Sequence, residues 1–257
     1  MFGTIIIDAY EENEVNEIVD ALDDLCNPND SYGWASAGIY CFWDYYTKEV
    51  YYIGLASDLK IRFMQHNGIK EVDSNSCKLS QIKDYFSCNK KLGYTIFVQS
   101  SLSQPIVYRN REKYKALIDD IFKPIEDYVG SEGKEHMKDV EGILIEAYRK
   151  KFGKFPKWNK VGGSKYGQKS SVIGNYEIIK AFNTTTYHPL VSRSTLRELS
   201  NYPTYERYER DLHGIRMFML SSGMSFNDSV KFLKNMNAII SYDELMAEKY
   251  LDKNLQI

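Results

Sequence analysis

Two short runs of β-forming residues, joined by a polar stretch, constrain the fold of this chain more than any other feature. Residues 37–42 and 50–54 are rich in aromatic and β-branched side chains, and residues 44–49 between them are mostly polar. A connection this short favours adjacent antiparallel strands, because a parallel crossover needs roughly a dozen residues or more. The pattern therefore predicts a β-hairpin.

The register of this hairpin can be predicted from symmetry about Tyr46. That symmetry places Tyr40 opposite Tyr52 and Gly38 opposite Gly54. Side chains alternate between the two faces along a strand, so a slip of one residue would reverse the faces. In the symmetric register both tyrosines project from one face of the sheet.

Other segments predict helices around a small sheet. Residues 4–7 and 94–99 are typical of strands. Four further segments are typical of helices, namely residues 11–25, 78–88, 108–128 and 134–151, and residues 171–257 are mostly helical in pattern. We therefore predict an α+β fold, with a small sheet that contains antiparallel strands, helices flanking it, and a mostly helical C-terminal addition.

Charge is unevenly distributed along the chain, although the net charge is only −2. Residues 1–37 carry nine acidic residues and no Lys or Arg, whereas residues 149–169 carry eight basic residues and no acidic one. The basic residues are Arg149, Lys150, Lys151, Lys154, Lys157, Lys160, Lys165 and Lys169. Such a stripe is a candidate phosphate-binding surface, and a solvated lysine-rich loop is the alternative.

Membrane and nucleotide-binding functions are not expected. No stretch approaches the ~20 apolar residues of a membrane-spanning helix, and the first residues lack the basic flank and length of a signal peptide. Gly162-Gly163 lacks the Gly-Lys-Ser/Thr context of a nucleotide loop, so no nucleotide cofactor is expected. We expect a cytoplasmic protein, encoded by a bacterium or a phage, without a membrane partner.

Five short elements of the sequence occur together in an order found in one nuclease family. In chain order they are Gly38-Ile39-Tyr40, Tyr52-Ile53-Gly54, Ser57-Asp58-Leu59 with Arg62 and His66, Glu141 before Leu144-Ile145, and Phe155-Pro156-Lys157-Trp158-Asn159. With these elements the chain resembles the GIY-YIG nucleases, closely over residues 37–66 and 139–163. The resemblance implies the GIY-YIG fold and metal-dependent hydrolysis of phosphodiester bonds in DNA.

The resemblance also divides the chain into three parts. Residues 1–36 would be an acidic strand–helix extension. Residues 37–163 would be the catalytic domain, with a long insert at about 67–138, and residues 164–257 would serve DNA recognition or dimerisation.

The resemblance implies the metal ligand and the phosphate clamp. Glu141 would bind Mg²⁺, for which Mn²⁺ can substitute, and the planar guanidinium of Arg62 would hold phosphate oxygens. Glu146 is the alternative ligand, because it lies thirteen residues before Asn159. We prefer Glu141, since Leu144-Ile145 follows it in the order of the family. A structural ion pair with an arginine is the other interpretation of Glu141.

The remaining implied roles belong to residues that handle water and orient the site. Tyr40 would be the general base, and a phenol needs a nearby cation for this at neutral pH. His66, Lys60 and the metal are the candidates for that cation. Tyr52 would position water or phosphate, and Asn159 would orient the site through hydrogen bonds. Each of these residues also has a purely structural interpretation. Tyr52 could be only a packing residue, Asn159 only a loop or turn residue, and His66 only a structural histidine.

The function expected from these features is that of a site-specific type II restriction endonuclease acting on double-stranded DNA as a homodimer. The expected DNA-binding residues are Lys60, Lys150, Lys151, Lys154, Lys157, Lys160, Lys165, Arg193 and Arg197. Arg216 and other polar residues of the C-terminal part could add base contacts. The alternatives are a homing-type or defence nuclease of a phage or mobile element, and a non-catalytic DNA-binding protein on the same scaffold.

Overall fold

The structure is a computed structural model, and it describes residues 1–26, 34–71, 77–100, 132–239 and 241–257. The helix predicted at 108–128, and most of the insert predicted at about 67–138, lie outside these residues.

A four-stranded antiparallel sheet forms the centre of the protein, with the strand order β1-β4-β2-β3. The strands are β1 (Phe2–Glu11), β2 (Gly38–Asp44), β3 (Val50–Ala56) and β4 (Lys91–Gln99). Apolar residues of both faces are buried in two clusters, one of which contains Ile6, Tyr40 and Phe63 and the other Ile5, Cys41 and Leu144. The predicted α+β class, with a sheet flanked by helices, is confirmed.

The N-terminal segment belongs to this central sheet and is not a separate extension. Strand β1 is longer than the predicted strand at 4–7, and it pairs with β4 from Phe2↔Gln99 to Glu11↔Lys91. All its residues except Glu11 are buried. The alternating exposure of a half-buried strand is therefore absent from β1, which explains why its sequence predicts only the most apolar part.

The β2–β3 hairpin differs in register from the symmetric prediction. Tyr40 pairs with Gly54, and Tyr52 pairs with Phe42, so the pairing is displaced by two residues. The turn is responsible, because Asp44 accepts hydrogen bonds from the backbone N–H groups of Tyr46 and Thr47, both at 2.8 Å. A displacement of two residues keeps Tyr40 and Tyr52 on one face, as predicted, and a bulge between Phe42 and Trp43 changes the register nearer the turn.

Among the residues that the structure describes, four helices accompany the sheet in the first two thirds of the chain. They are α1 (Val15–Cys26), α2 (Leu59–His66), α3 (Leu79–Phe86) and α4 (Glu132–Phe152). Helix α2 begins after Asp58, whose carboxylate caps it by accepting the Ile61 N–H at 2.9 Å. This start places Arg62 and His66 one turn apart on the same side of α2.

The C-terminal part is helical, as predicted. Its helices are α5 (Lys165–Ser170), α6 (Tyr176–Ala181), α7 (Leu196–Asn201), α8 (Pro203–Ser222), α9 (Phe226–Asn235) and α10 (Tyr242–Ala247). Phe182 and Val191 join the core on one face of the sheet, and Leu196 joins the core on the other. None of the helices in the described part of the chain is long and apolar enough to cross a membrane.

Segments from the C-terminal half of the chain bind both edges of the sheet. Along β1, the Ile5 N–H donates to Leu190 O, and Ile5 O accepts from the Ser192 N–H, both at 2.8 Å. Along β3, the Trp158 N–H donates to Tyr51 O at 2.7 Å. These contacts bring residues distant in sequence to the hairpin that carries the candidate site.

Candidate active site

Strands β2 and β3 and helix α2 bring four of the predicted site residues together. The rings of Tyr40 and Tyr52 are 5.7 Å apart between centroids, and the His66 ring lies 5.3 Å from Tyr40 and 6.0 Å from Tyr52. Arg62 donates from Nε to the Tyr40 hydroxyl at 3.1 Å. The spacing of the motif therefore corresponds to one cluster in space.

The two glycines of the motif are explained by close approaches. A Cβ on Gly54 would lie 2.7 Å from Oη of Tyr40 and 2.6 Å from Cε1 of Tyr52. A Cβ on Gly38 would lie 2.2 Å from the carbonyl oxygen of Phe97 on β4. Gly54 thus leaves room for the two phenol rings, and Gly38 lets β2 pair closely with β4.

The hydrogen bonds of His66 define which of its nitrogens carries the proton. The backbone N–H of Lys78 donates to Nδ1 at 2.9 Å, so Nδ1 must be unprotonated. The neutral ring then carries its proton on Nε2, which lies 2.7 Å from the Tyr40 hydroxyl. The Tyr40 oxygen consequently accepts two hydrogen bonds, one from His66 and one from Arg62, and both stabilise its ionised form.

The pKa shifts correct the expected source of positive charge beside Tyr40. Burial lowers the pKa of His66 to about 2, with Arg62 and Lys78 contributing, so the imidazole is neutral. Lys60 is also not the cation, because its ammonium pairs with Asp23 at 2.6 Å. Burial raises the pKa of Tyr40 well above its usual value, with Tyr52 adding to the shift, and Arg62 is the cation that opposes it.

The Tyr52 hydroxyl lies between the tyrosine–arginine cluster and Glu141. Burial is the main reason why the pKa of Tyr52 is raised, and the Glu141 charge raises it further. Hydrogen bonds with Tyr40 and Arg62 act in the opposite direction. Tyr52 is therefore more than a packing residue, because its hydroxyl belongs to the polar cluster.

Glu141 lies on α4 beside the edge strand β3. The Leu55 N–H and the charge of Arg62 both act to lower the pKa of its carboxyl group. Burial raises the pKa of Glu141 to about 7, against the effects of these two groups. Glu141 forms no ion pair with another residue that the structure describes. A half-buried carboxylate without an ion-pair partner among the described residues could bind a cation.

Glu146, the alternative ligand, has a different partner. Its two carboxylate oxygens accept from Nε and Nη2 of Arg149, both at 2.7 Å. This bidentate pair lowers the pKa of Glu146. Five residues along a helix turn by ~500°, which directs Glu146 away from Glu141. The geometry therefore favours Glu141 as the ligand.

The donor set around Glu141 fits Mg²⁺ better than a transition metal. Within the described ranges, no group of three or more His, Cys, Asp or Glu side chains could hold a metal ion. Mg²⁺ commonly binds one or two carboxylates and completes its shell with water and substrate phosphate. One carboxylate ligand, with water and substrate phosphate as the remaining ligands, is compatible with that mode of binding.

Asn159 orients the site through the backbone of β3. Its Oδ1 accepts the Ile53 N–H at 2.9 Å, and its Nδ2 donates to Ile53 O at 2.8 Å. Ile53 is flanked by Tyr52 and Gly54, so this two-point bond fixes the strand at the centre of the site. Asn159 is thus a positioning residue.

Lys78 is a member of the site that the sequence analysis missed. It precedes α3, and its Nζ lies 4.8 Å from the centroid of the Tyr52 ring. The motif ends at His66, and nothing in the spacing connects position 78 to it. Only the helix predicted to begin at 78 indicated that a backbone N–H would be available there.

The basic stripe is divided between the site and other surfaces. Lys157 lies over the Tyr51 ring at 4.6 Å, and Lys160 is close enough to Lys78 to lower its pKa, although burial lowers it most. Farther away, Lys150 donates to Ser171 O at 2.5 Å, Lys151 lies over Tyr176 and Lys154 pairs with Glu49, while Lys165 is exposed. Lys157 and Lys160 are therefore the members of the stripe nearest the site.

Three arginines of the C-terminal part are held by groups within the protein and are not placed as expected for DNA contacts. Arg193 is buried and donates from Nε to Lys253 O at 2.8 Å. Arg197 binds the buried Asp8 at 3.0 Å and also donates to Ala9 O at 2.7 Å. Arg216 is buried against Glu209 at 2.5 Å. These arginines hold the C-terminal part on β1 and stabilise its interior, which corrects the expectation of base contacts from them.

Comparisons with family models, with curated proteins and with solved structures gave no match for this chain.

Proposed function

We propose that this protein is a metal-dependent endodeoxyribonuclease with the fold and chemistry of the GIY-YIG family, in the form of a site-specific type II restriction enzyme. The observation that carries the proposal is the Tyr40 hydroxyl, which accepts hydrogen bonds from His66 and Arg62 at 2.7 and 3.1 Å. It lies in one cluster with Tyr52, whose hydroxyl is influenced by Glu141. These are the residue types that phosphodiester hydrolysis needs.

The chain supplies a base for the attacking water. Tyr40 would take a proton from the water that attacks phosphorus, and for this its phenol must first be ionised although burial raises its pKa. The hydrogen bonds from His66 and Arg62, together with the charges of Arg62 and a bound cation, favour the ionised form. Because His66 is neutral, it donates to Tyr40 without requiring its own protonation. Arg62 supplies the fixed positive charge beside the phenol and can neutralise phosphate oxygens.

Glu141 is the residue that would hold the divalent cation. When bound, Mg²⁺ supplies positive charge that stabilises the crowded phosphorus centre and the leaving oxygen. Glu141 lies on α4 beside β3, where Arg62 influences its pKa, so a cation bound by Glu141 would be next to the tyrosine–arginine cluster. Asn159 maintains this arrangement by holding the neighbouring Ile53 backbone.

The test is digestion of several plasmid and phage DNAs with Mg²⁺ or EDTA, using wild type, Glu141→Ala and Glu146→Ala. We expect discrete Mg²⁺-dependent bands from wild type and at least ~100-fold slower cutting by Glu141→Ala, with DNA binding retained. Glu146→Ala is the matched control, because it removes a carboxylate from the same helix that is paired with Arg149. It should cut at nearly the wild-type rate.

Other outcomes would change the proposal in defined ways. A smear instead of bands would indicate a nonspecific or defence nuclease. Normal cutting by Glu141→Ala would refute the metal ligand. DNA that is bound but stays intact would favour the non-catalytic DNA-binding protein. Size-exclusion chromatography with light scattering on the same preparation tests the proposed homodimer.

A further inference from the structure

Lys78 combines two contacts that connect it to the candidate site. Its backbone N–H donates to Nδ1 of His66 at 2.9 Å, and its side chain extends over the face of Tyr52, with Nζ 4.8 Å from the ring centroid. The residue is only 8% exposed. One residue thus fixes the histidine with its backbone and presents an ammonium beside a tyrosine of the site.

The ammonium of Lys78 lies among other positive charges. Burial is the largest cause that lowers the pKa of Lys78, and Lys160 and Arg62 follow. Neither Lys78 nor Lys160 forms an ion pair within the described part of the chain. Burying an ammonium beside like charges is costly unless an anion compensates for it.

The position of this charge defines what the anion would be. Arg62 and Tyr52 belong to the cluster around Tyr40, so an anion bound by Lys78 lies directly beside the proposed reaction centre. The ring face of Tyr52 supports the lysine by a cation–π contact, which keeps the chain extended toward the cluster. A phosphate of the DNA backbone has the charge and the oxygen acceptors that fit this place.

We propose that Lys78 is a substrate-binding residue whose ammonium, supported by Tyr52 and next to Lys160, binds a backbone phosphate of the DNA strand that is cut. This inference rests on the proposed nuclease function. It adds a phosphate contact from the start of α3 to those of Arg62 on α2. Its backbone N–H has a separate task, because it selects the His66 tautomer that donates to Tyr40.

The test compares wild type, Lys78→Met, Lys78→Arg and Lys83→Met. Methionine keeps the backbone N–H and most of the packing on Tyr52 while it removes the charge, and arginine restores the charge. Lys83 is the matched control, because it lies on α3 and is exposed. Thermal unfolding midpoints of all four proteins establish that they fold alike.

The measurement is binding of a short fluorescein-labelled DNA duplex in EDTA, at several salt concentrations. For Lys78→Met we expect about tenfold weaker binding, and a plot of log affinity against log salt concentration that is less steep by ~0.9, the value for one lost phosphate contact. Lys78→Arg should restore both quantities, and Lys83→Met should match wild type.

The outcomes separate this inference from the proposed function. Equal affinity and equal salt dependence for wild type and Lys78→Met would overturn the inference while leaving the nuclease proposal intact. Weak binding that Lys78→Arg does not restore would also overturn it, because the loss would then be structural. Duplex binding by wild type without cutting in Mg²⁺ would overturn only the nuclease activity, and the comparison in EDTA would still decide the role of Lys78. No binding by any of the four proteins would overturn both.

Discussion

At the scale of single residues, Glu141 and Glu146 show how one helix gives two carboxylates opposite properties. Burial raises the pKa of Glu141 to about 7, whereas the Arg149 pair lowers the pKa of Glu146. A carboxylate with a raised pKa costs stability when it ionises, and one with a lowered pKa contributes stability when it ionises. The two residues should therefore respond to pH in opposite directions.

We predict that Glu141→Gln stabilises the metal-free protein at high pH but not at low pH. In wild type, the folded state binds more protons than the unfolded state between the unfolded pKa of 4.5 and the folded pKa of about 7, so stability falls as pH rises through this window. Glutamine removes this loss, which is worth ~1–3 kcal/mol at about 1.4 kcal/mol per pKa unit. The measurement is the free energy of unfolding of wild type and Glu141→Gln, obtained from urea unfolding in EDTA at one pH below and one pH above this window.

The control for this prediction is Glu146→Gln, which should lose stability relative to wild type above the lowered pKa of Glu146. If Glu141→Gln differs from wild type by the same free energy of unfolding at both pH values, the carboxyl does not titrate in this window.

Local spacing in the sequence predicts which residues of the hairpin and α2 lie together, but it does not show where distant segments meet. The residues of the hairpin and α2 share a site because strand alternation and the helical repeat fix their faces. The bond between Asn159 and Ile53 spans 106 residues, and that between Arg197 and Asp8 spans 189. No periodicity connects such positions, which is why Arg197 was assigned to DNA and Lys78 was missed.

At the scale of secondary-structure elements, residue alternation in the hairpin predicts which side chains share a face, but it does not predict which residues pair across the strands. Alternation predicted the common face of Tyr40 and Tyr52, whereas the pairing was displaced by two residues because Asp44 caps the turn. The sequence contains Asp44 and Thr47, but it does not show which backbone N–H groups the carboxylate accepts from. Residue alternation therefore could not predict the pairing register of the two strands.

Within this hairpin we predict that Gly54→Ala damages both stability and activity. The added Cβ would lie 2.7 Å from Oη of Tyr40 and 2.6 Å from Cε1 of Tyr52, so the rings must move. Overpacking of this kind typically costs ~1–3 kcal/mol. Chemical unfolding gives the stability, and the cutting rate reports the displaced hydroxyl.

The matched control is Gly214→Ala on α8, where a Cβ would meet nothing within 4 Å. It should be neutral or stabilise the helix by ~0.5–1 kcal/mol. A Gly54→Ala protein with wild-type stability and rate would show that the two tyrosines are loosely held.

At the scale of the whole molecule, the three parts expected from the sequence share one sheet and its two cores. Strand β1 from the expected N-terminal extension pairs with β4, and residues 190–192 from the C-terminal part bind β1. Arg197 adds a buried ion pair to Asp8 of β1. Charge and composition change along the sequence, and these changes suggested boundaries, but they cannot show which strands become neighbours.

We predict that residues 37–163 do not fold as an independent catalytic domain. This fragment lacks β1, and its removal exposes the outer edge of β4 together with core positions now covered by Ile6 and Tyr10. Circular dichroism and thermal unfolding should show a cooperative transition for the full chain and none for the fragment. A fragment that unfolds cooperatively and cuts DNA would contradict the prediction.

The outward backbone groups of β3 limit how two copies of this protein could associate. Two residues of β3 already have partners for these groups within the chain. Tyr51 O accepts from the Trp158 N–H, and the Ile53 N–H and O bond the side chain of Asn159. A strand from a second molecule would have to displace the residues that organise the site. A homodimer that continues the sheet across this edge would therefore be inactive, and an active one must be built from helical faces.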